Sequence, residues 1–459
     1  MKRRRPEART RRSDAEPDAR GVALDVLLRV ERGDAWADVL LGHRLAETAL
    51  APEDRALATT LVYGVLAWRG RLDHHLAALV RDGLERLDPP VLAALRLGLF
   101  QLLFLERVPA FAAVDTSVTL ARRRGAGAAG LVNAVLRRVV REGAHALPLP
   151  DAAADPIGRL AVELSHPRWL VARWADELGL DALPALLAAD NRAGEIVLRT
   201  NRLRTDAAAL AATLAAEGVQ VAPARFDPDA LVVAAGAGRL RHGNLARKGG
   251  SRSGRSVAAG RAAGRAAAER ARARRLCGAG RQDDAAGGAG RRRRYGRGPR
   301  PARRRRAPHR GRGDGCCAHG ARRGRRRAAA LRPGFDAVLV DAPCSGLGTL
   351  RRHPEARWRR TAADPSRLAA LQRALLAGVA PLVRPGGTLV YAVCTIMRAE
   401  TDDVLAAFLG DHPGFAVEPA TAVLPAAAHA LVDPAGLLRT HPHRDDLDGF
   451  FAVRLRAPH

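Results

Sequence analysis

The stretch FDAVLVDAPCSG, residues 335–346, combines the pattern of a β-strand with a turn that contains a cysteine. Its first seven residues are largely apolar and β-forming, which predicts a buried strand ending at Asp341. The turn after that strand carries Cys344. A second stretch, TLVYAVC at 388–394, follows the turn sequence RPGG and predicts another buried strand, which ends at Cys394.

The segment between these two strands has the pattern of an amphipathic helix. Its apolar residues recur at helical spacing: Leu368, Leu371, Leu375, Val379 and Leu382. A strand, a crossover helix and a second strand make a parallel pair whose carboxyl ends share one edge of the sheet. Open α/β sheets bind ligands at that edge. We therefore expect Asp341, Cys344 and Cys394 to meet in one crevice.

The preceding residues predict a helical domain and then a mixed region. Leu57, Leu61 and Val65 recur at i+4, which is typical of a core helix, whereas residues 164–180 and 196–206 predict a helix and then a strand. The chain accordingly divides into five segments: a basic tail (1–17), an all-α domain (18–144), a linker with the first part of an α/β module (145–245), an Arg/Ala/Gly-rich segment (246–330) and the second half of the α/β domain (331–459).

The charge of the chain is unevenly distributed. The formal net charge is +29, which favours a polyanionic partner such as nucleic acid. Residues 249–330 hold 26 Arg and no Lys against four acids, a net of +22, which leaves only +7 for the rest of the chain. Most of the basic signal therefore comes from one unusual segment.

Cysteine spacing and hydropathy argue against a metal-binding, disulfide-rich or membrane-spanning protein. The five cysteines form no CxxC pair and no His spacing complements them, so neither a metal site nor a disulfide framework is expected. The basic N-terminal residues precede no apolar run, and no stretch of about 18 residues is free of charge. We expect a cytoplasmic protein that does not enter a membrane and acts as a monomer.

The Arg-rich segment has two explanations. Its only large apolar residues are Val257, Leu276 and Tyr295, too few to form a core. One explanation is a disordered basic insert that binds RNA. The other is a frameshift, because G+C-rich coding sequence read one nucleotide out of register yields mostly Arg, Ala, Gly and Pro.

Back-translation tests the frameshift explanation. Reading LCGAGRQDDA (276–285) one nucleotide later permits Cys-Ala-Ala-Pro-Gly-Gly-Lys-Thr-Thr. The same shift applied to SGRSVAAGRA (253–262) permits Gln-Asp-Glu-Ala-Ser-Gln-Leu-Val-Ala. Because most amino acids have several codons, both results are permitted by the sequence but not required by it. The original reading frame must return before about Leu331, where the strand and turn patterns resume.

Outside residues 249–330 the chain resembles the RsmB/Sun family of bacterial ribosomal RNA (cytosine-5)-methyltransferases. The resemblance implies an all-α NusB-like domain followed by an α/β Rossmann-like methyltransferase domain. The family's cofactor loop resembles D-x-C-A-A-P-G-G-K-T and follows Q-D-E-A-S-Q, the two strings found out of register. The matching stretches are LVNAVLRR (131–138), LSHPRWLVARW (164–174), FDAVLVDAPCSGLGTLRRHPEARWR (335–359), PGGTLVYAVCTIMRAE (385–400) and DGFF (448–451).

The resemblance implies roles for particular residues. Cys394 would be the nucleophile and Cys344 would assist product release, although the family usually has Thr or Ser where this chain has Val393. Asp341 would contact both S-adenosylmethionine and the base, as a charge-stabilising acid, and Pro343 would also line the cofactor site. The candidate RNA contacts are Arg199, Asn201, Arg351, Arg352 and Arg359, for which ordinary strand-end or solvated residues are the alternative.

Two functions remain open from sequence. The first is methylation of carbon 5 of a cytosine in small-subunit ribosomal RNA, with the target base displaced from its stack. The second is a non-catalytic RNA-binding or ribosome-assembly protein in which an Arg-rich insert replaces the cofactor loop. On the literal sequence we expect weak or absent binding of S-adenosylmethionine.

Overall fold

A computed structural model describes residues 18–143, 147–235, 250–253 and 333–459. The basic tail and all but four residues of the segment 249–330 lie outside the described residues, and so do the two out-of-register strings, apart from Ser253. Among the described residues, no helix combines the length and apolarity needed to cross a membrane.

Residues 18–143 form the helical domain that the sequence predicts. Asp18 caps the first helix by accepting a hydrogen bond from Gly21 N at 2.8 Å. Close helix packing depends on small residues, since a Cβ at Gly64 would lie 2.0 Å from the Phe100 ring and one at Gly98 would lie 2.3 Å from Leu136. The helices are α1 (Ala19–Glu31), α2 (Ala37–Ala46), α3 (Pro52–Leu79), α4 (Pro89–Phe104), α5 (Ala110–Arg122) and α6 (Ala126–Glu142).

A middle module follows, with four helices and a small antiparallel sheet. The sheet has the order β2-β3-β1-β4, and its last strand lies at the start of the Arg-rich segment. The strand expected at 196–206 is shorter than predicted, because the chain leaves the sheet at Asn201 and turns. The elements are α7 (Pro156–Glu163), α8 (Arg168–Leu178), α9 (Leu183–Asp190), β1 (Val197–Thr200), α10 (Ala207–Ala216), β2 (Gln220–Pro223), β3 (Ala230–Ala235) and β4 (Gly250–Ser253).

The C-terminal domain is built on a mixed sheet of order β5-β6-β9-β7, with β8 also paired to β9. The first two strands are parallel, which confirms the predicted strand, helix and strand unit. Strand β9 adds an antiparallel neighbour to β6. The elements are β5 (Phe335–Asp341), α11 (Ala356–Arg359), α12 (Asp364–Val379), β6 (Val383–Val393), α13 (Asp402–Asp411), β7 (Ala416–Glu418), β8 (Leu438–Thr440), α14 (Pro442–Asp445) and β9 (Phe450–Arg456).

The predicted RPGG turn lies inside β6 rather than before it. Phe335 pairs with Val383, but Ala337 pairs with Thr388, so several residues of β6 bulge out of the parallel ladder. Gly386 has a φ of 65°, a backbone conformation that favours glycine. The bulge keeps the remainder of β6 in register with β5 up to Asp341.

Short helix α11 joins the C-terminal domain to the helical domain. Trp358 Nε1 donates to Leu66 O at 2.7 Å, and the absence of a side chain at Gly70 leaves room for the indole ring. Arg359 donates to Val30 O, in the last turn of α1, and to Ala35 O, in the loop after it, both at 2.8 Å. The two domains therefore share hydrogen bonds as well as surface.

A buried charge cluster completes this junction. Arg357 is fully buried and donates to Ser165 O at 2.9 Å and to Asn191 Oδ1 at 2.7 Å, both in the middle module. Neighbouring Asp190 is also buried, and its carboxylate accepts no hydrogen bond from the described residues. Burial raises the pKa of Asp190 to about 7, an effect that the positive charges of Arg357 and Arg351 partly offset.

Asp190 makes folding depend on pH. Its pKa is about 7 in the folded chain and near 3.8 in an unfolded one, so its ionisation destabilises the fold increasingly as pH rises through that interval. Asp190→Asn should therefore become more stable relative to wild type as pH rises. We expect the difference in unfolding free energy between the two proteins to change by about 2 kcal/mol from pH 5.5 to pH 8. Urea unfolding of both proteins at the two pH values measures this difference. Exposed Asp411→Asn is the control, and a pH-independent difference for Asp190→Asn would contradict the assignment.

Candidate active site

Two cysteines meet at the carboxyl edge of the parallel strand pair. Cys394 directly follows β6, and Cys344 lies three residues after the end of β5. Their Sγ atoms are 3.3 Å apart. The predicted convergence of the two thiols is confirmed, because the parallel register brings both strand ends to the same level of the sheet.

Backbone contacts hold the loop around Cys344 in place. Gly348 N donates to Cys394 O at 3.1 Å, and Gly449 N donates to Gly348 O at 2.7 Å. A Cβ at Gly348 would lie 2.0 Å from Gly449 O, so this approach requires glycine. The DGFF stretch near the C-terminus thus serves the site by bracing the cysteine loop.

The two thiols differ in exposure. Cys344 is buried, with 7% of its surface exposed, whereas Cys394 is only partly buried. The pKa of Cys344 is raised well above its usual value, mainly by the hydrogen bond with Cys394, then by burial and by the charges of Cys394 and Glu400. Cys344 therefore stays a thiol near neutral pH and can donate its S–H to Cys394.

A buried carboxylate, Glu400, contacts the residues that directly follow the two cysteines. It follows β6 in a short 3-10 turn and has no exposed surface. Its Oε1 accepts from Ser345 N at 2.8 Å, and its Oε2 accepts from the hydroxyls of Ser345 and Thr395. Burial is the largest influence on Glu400 and raises its pKa, while these hydrogen bonds lower it. Sequence reasoning missed Glu400, since a single acid after a strand has no distinctive pattern.

Asp341 and Pro343 border the same edge. Asp341 is the last residue of β5, pairs in parallel register with Ala392 and is exposed. Pro343 is half-buried, and its carbonyl accepts from Gln372 Nε2 at 3.0 Å. An exposed carboxylate at the carboxyl end of a parallel strand suits the hydroxyl or amino groups of a nucleoside cofactor. Contact of Asp341 and Pro343 with a cofactor stays a prediction, and the expected glycine-rich loop falls outside the described residues.

The arginines after the cysteine loop contact protein groups. Arg351 pairs with Asp446 at 2.9 Å, and Arg352 pairs with Asp448 at 2.7 Å. Arg359 lies over the Trp36 ring at 4.9 Å in addition to its carbonyl contacts. From the sequence, we expect these arginines either to contact RNA or to be solvent-exposed. The structure shows a third role, because all three bind other parts of the protein. Contact of these arginines with RNA stays a prediction. RNA would have to compete with the protein groups that they already bind.

Arg199 and Asn201 belong to the small antiparallel sheet. Arg199 lies within β1 and is half-buried, and its Nε has no hydrogen-bond partner among the described residues. Asn201 is exposed, and its Oδ1 accepts from Leu203 N at 3.1 Å, as in an Asx turn. Asn201 thus shapes the turn after β1, and an RNA contact of either residue stays a prediction.

Comparison with protein families defines the class. A family model described as "NusB family" matches residues 17–141, one described as "Methyltr_RsmF/B-like, ferredoxin-like domain" matches 166–238, and one described as "16S rRNA methyltransferase RsmB/F" matches 318–456. A methyltransferase domain with an N-terminal NusB-type domain is the class that the fold and these matches define.

Comparison with individual proteins defines the family. The "Probable ribosomal RNA small subunit methyltransferase B" of Bacillus subtilis is 33% identical, over 95% of this chain and 98% of the relative. The "Ribosomal RNA small subunit methyltransferase B" of Thermus thermophilus is 34% identical, over 95% and 97%. A crystal structure described as PH0851 shares the fold, with a TM-score of 0.72 at 19% identity, over 95% of this chain and 98% of that chain. This chain belongs to the RsmB/F family of 16S ribosomal RNA methyltransferases.

The exposure difference predicts unequal thiol reactivity. Iodoacetamide should modify Cys394 at least about tenfold faster than Cys344 at pH 7.5, because alkylation needs an accessible thiolate. Peptide mapping by mass spectrometry separates these two sites from the three other cysteines. In Cys394→Ala, which removes the hydrogen bond to Cys344, modification of Cys344 should accelerate. Equal rates in wild type would show that the buried thiol is not protected.

Proposed function

We propose that this protein transfers a methyl group from S-adenosylmethionine to carbon 5 of a cytosine in 16S ribosomal RNA, with Cys394 as nucleophile. The observation that carries the proposal is the contact of two unlike thiols, 3.3 Å apart, at the edge of the sheet where α/β enzymes bind ligands. Membership of the RsmB/F family supports the same reaction class.

The chemistry requires covalent catalysis, because carbon 5 of cytosine is a poor nucleophile. Addition of the Cys394 thiolate to carbon 6 makes carbon 5 electron-rich, so that it can attack an electrophilic methyl group. S-adenosylmethionine, when bound, supplies that methyl group. Loss of the carbon 5 proton then lets the carbon 6 to sulfur bond break, which restores the aromatic ring and the Cys394 thiolate.

Cys344 is suited to the second half of this sequence. While Cys394 is free, its hydrogen bond and charge are among the influences that keep Cys344 protonated. Once Cys394 is bonded to carbon 6, both of those influences disappear, and the Cys344 thiol becomes easier to ionise. It could then help to remove the carbon 5 proton, close to the sulfur that has to leave.

Asp341 and the RNA complete the proposal. The Asp341 carboxyl group would contact the cofactor and, when protonated, donate a hydrogen bond to the base, which stabilises the negative charge that develops on the ring as the thiolate adds. The substrate base has to leave its stack to reach thiols that lie below the surface, which favours a loop or exposed strand of structured RNA. The helical domain would add contacts to the RNA.

Two cysteine variants separate the proposed roles. Cys394→Ala should lower kcat for RNA methylation by about 10³-fold or more, since the covalent step is lost. Cys344→Ala should instead accumulate a protein–RNA adduct, visible as a slowly migrating band on a denaturing gel, because addition proceeds but release is slow. The double variant is the control and should form no adduct. An adduct with Cys394→Ala would overturn the assignment.

The Arg-rich segment bears on the alternative function, a non-catalytic RNA-binding or ribosome-assembly protein in which an Arg-rich insert replaces the cofactor loop. Residues 239–317 lie between the matches to two family models, and the expected cofactor loop falls there. In the described part of the sheet, β5 has a neighbour on one side only, where a further strand could pair. A frameshift over part of this segment accounts for both observations and agrees with the return of the family pattern at residue 318.

The literal chain should bind S-adenosylmethionine weakly, with a Kd above about 1 mM, because its sequence contains the family's cofactor-loop string only out of register. Isothermal titration calorimetry measures this affinity. The matched control is the same chain with the out-of-register segment re-encoded in the shifted frame, which should bind with micromolar affinity. Micromolar binding by the literal chain would contradict the prediction.

Resequencing the DNA that encodes residues 240–335 is the companion measurement. A single-nucleotide discrepancy at each end would restore the cofactor loop and favour the methyltransferase. Confirmation of the present sequence would favour the RNA-binding alternative.

A further inference from the structure

Glu400 connects the two loops that carry the thiols. Ser345 directly follows Cys344, and Thr395 directly follows Cys394. The Glu400 carboxylate accepts hydrogen bonds from both residues, and the Ser345 and Thr395 hydroxyl oxygens are 3.0 Å apart. One side chain therefore touches the residue next to each cysteine.

The carboxylate is itself held by two other elements of the domain. Gln372, on α12, donates from Nε2 to Glu400 Oε1 at 3.0 Å. Tyr391, on β6, lies with its hydroxyl 2.7 Å from Glu400 O and 3.0 Å from Gln372 Oε1. Because the acceptor is fixed from the helix and from the strand, the loops after β5 and β6 cannot move apart without breaking several buried hydrogen bonds.

This arrangement is energetically unusual. Glu400 is completely buried, and within the described part of the chain the groups that donate to its carboxylate, on Ser345, Thr395 and Gln372, are neutral. A buried carboxylate without a cationic partner costs stability even when it is fully hydrogen-bonded. A smaller apolar residue would avoid that cost but would leave the Ser345 amide without its acceptor.

We propose that Glu400 is a positioning residue, which locks the two cysteine loops together and so keeps Cys344 Sγ in contact with Cys394 Sγ. This inference rests on the proposed function for its catalytic consequence, but the thiol contact can be measured without methyl transfer. The Glu400 charge also raises the pKa of Cys344, which helps to keep that sulfur protonated beside the nucleophile.

Two substitutions separate geometry from charge. In Glu400→Gln the amide oxygen can still accept from Ser345 N and Gln372 Nε2, while its NH₂ group can donate to the Ser345 and Thr395 hydroxyls, which also act as acceptors. Geometry is then kept and the charge is lost. Glu400→Ala removes both.

The first readout is disulfide trapping of Cys344 with Cys394 by diamide, which takes up the two electrons and two protons that the thiols lose. Peptide mapping of the full chain identifies the product. We expect Glu400→Ala to slow trapping by about tenfold or more and Glu400→Gln to stay within about threefold of wild type, because exchange needs the sulfurs in contact. The control, Glu177→Gln, alters an acceptor of the Arg398 amide in the same turn and should trap at the wild-type rate.

The second readout is the pH dependence of Cys344 alkylation. Loss of the Glu400 charge should shift this profile to lower pH in Glu400→Gln, a change that loss of packing alone would not produce. Where the chain methylates RNA, Glu400→Ala should lower kcat by about 10²-fold with little change in KM for RNA, and Glu400→Gln should recover most of it.

The outcomes distinguish this inference from the proposed function. Trapping that depends on Glu400 in a chain that does not methylate RNA would support the positioning role and count against the activity. Trapping at the wild-type rate in Glu400→Ala would overturn the positioning role whatever the activity. If Glu400→Ala does not fold, the paired substitution Ser345→Ala with Thr395→Val removes only the hydroxyl contacts. That variant should slow trapping, and a wild-type rate would overturn the inference.

Discussion

The parallel pairing of β5 with β6 is the constraint on which the rest of the site depends. A cysteine follows each strand: Cys344 lies in the turn after β5, and Cys394 directly follows β6. Parallel register brings both strand ends to one edge of the sheet. Hydrogen bonding to β6 continues one residue past the end of β5, since Ala342 N donates to Ala392 O at 3.0 Å. This pairing brings two thiols that are 50 residues apart in the chain to the same edge, where they come into contact. The antiparallel strand β9 then secures β6 from its other side.

The junction between the domains uses residues that a sequence reader would assign to solvent or to RNA. Arg357 and Arg359 point into protein, where carbonyl oxygens of the middle module and the helical domain accept hydrogen bonds from their guanidinium groups. Burial lowers the pKa of Arg357 to about 10, but the group stays charged at neutral pH. Both arginines lie on the short helix α11, which follows the Cys344 loop. Their contacts therefore fix the helical domain next to the edge of the sheet that carries the two thiols.

Two buried carboxylates show how differently a fold can treat the same group. Asp190 accepts no hydrogen bond from the described residues, so burial dominates and its proton is held to about pH 7. Glu400 is equally buried, but hydrogen bonds from Ser345, Thr395 and Gln372 oppose the effect of burial. Asp190 is a source of pH-dependent stability at a domain junction, whereas Glu400 organises the loops of a site.

The sequence by itself determined the helical domain, the parallel strand pair and the meeting of Cys344 with Cys394. These features follow from local periodicity and from the geometry of crossover connections, which act over short stretches of chain. It did not determine the partners of Arg351, Arg352 and Arg359 or the role of Glu400. Such partners are brought together by packing between distant segments, and a single charged residue looks the same in sequence whether it faces solvent, RNA or a buried carbonyl. Only the tertiary structure decided those pairings, because burial and hydrogen-bond geometry exist only once the chain has folded.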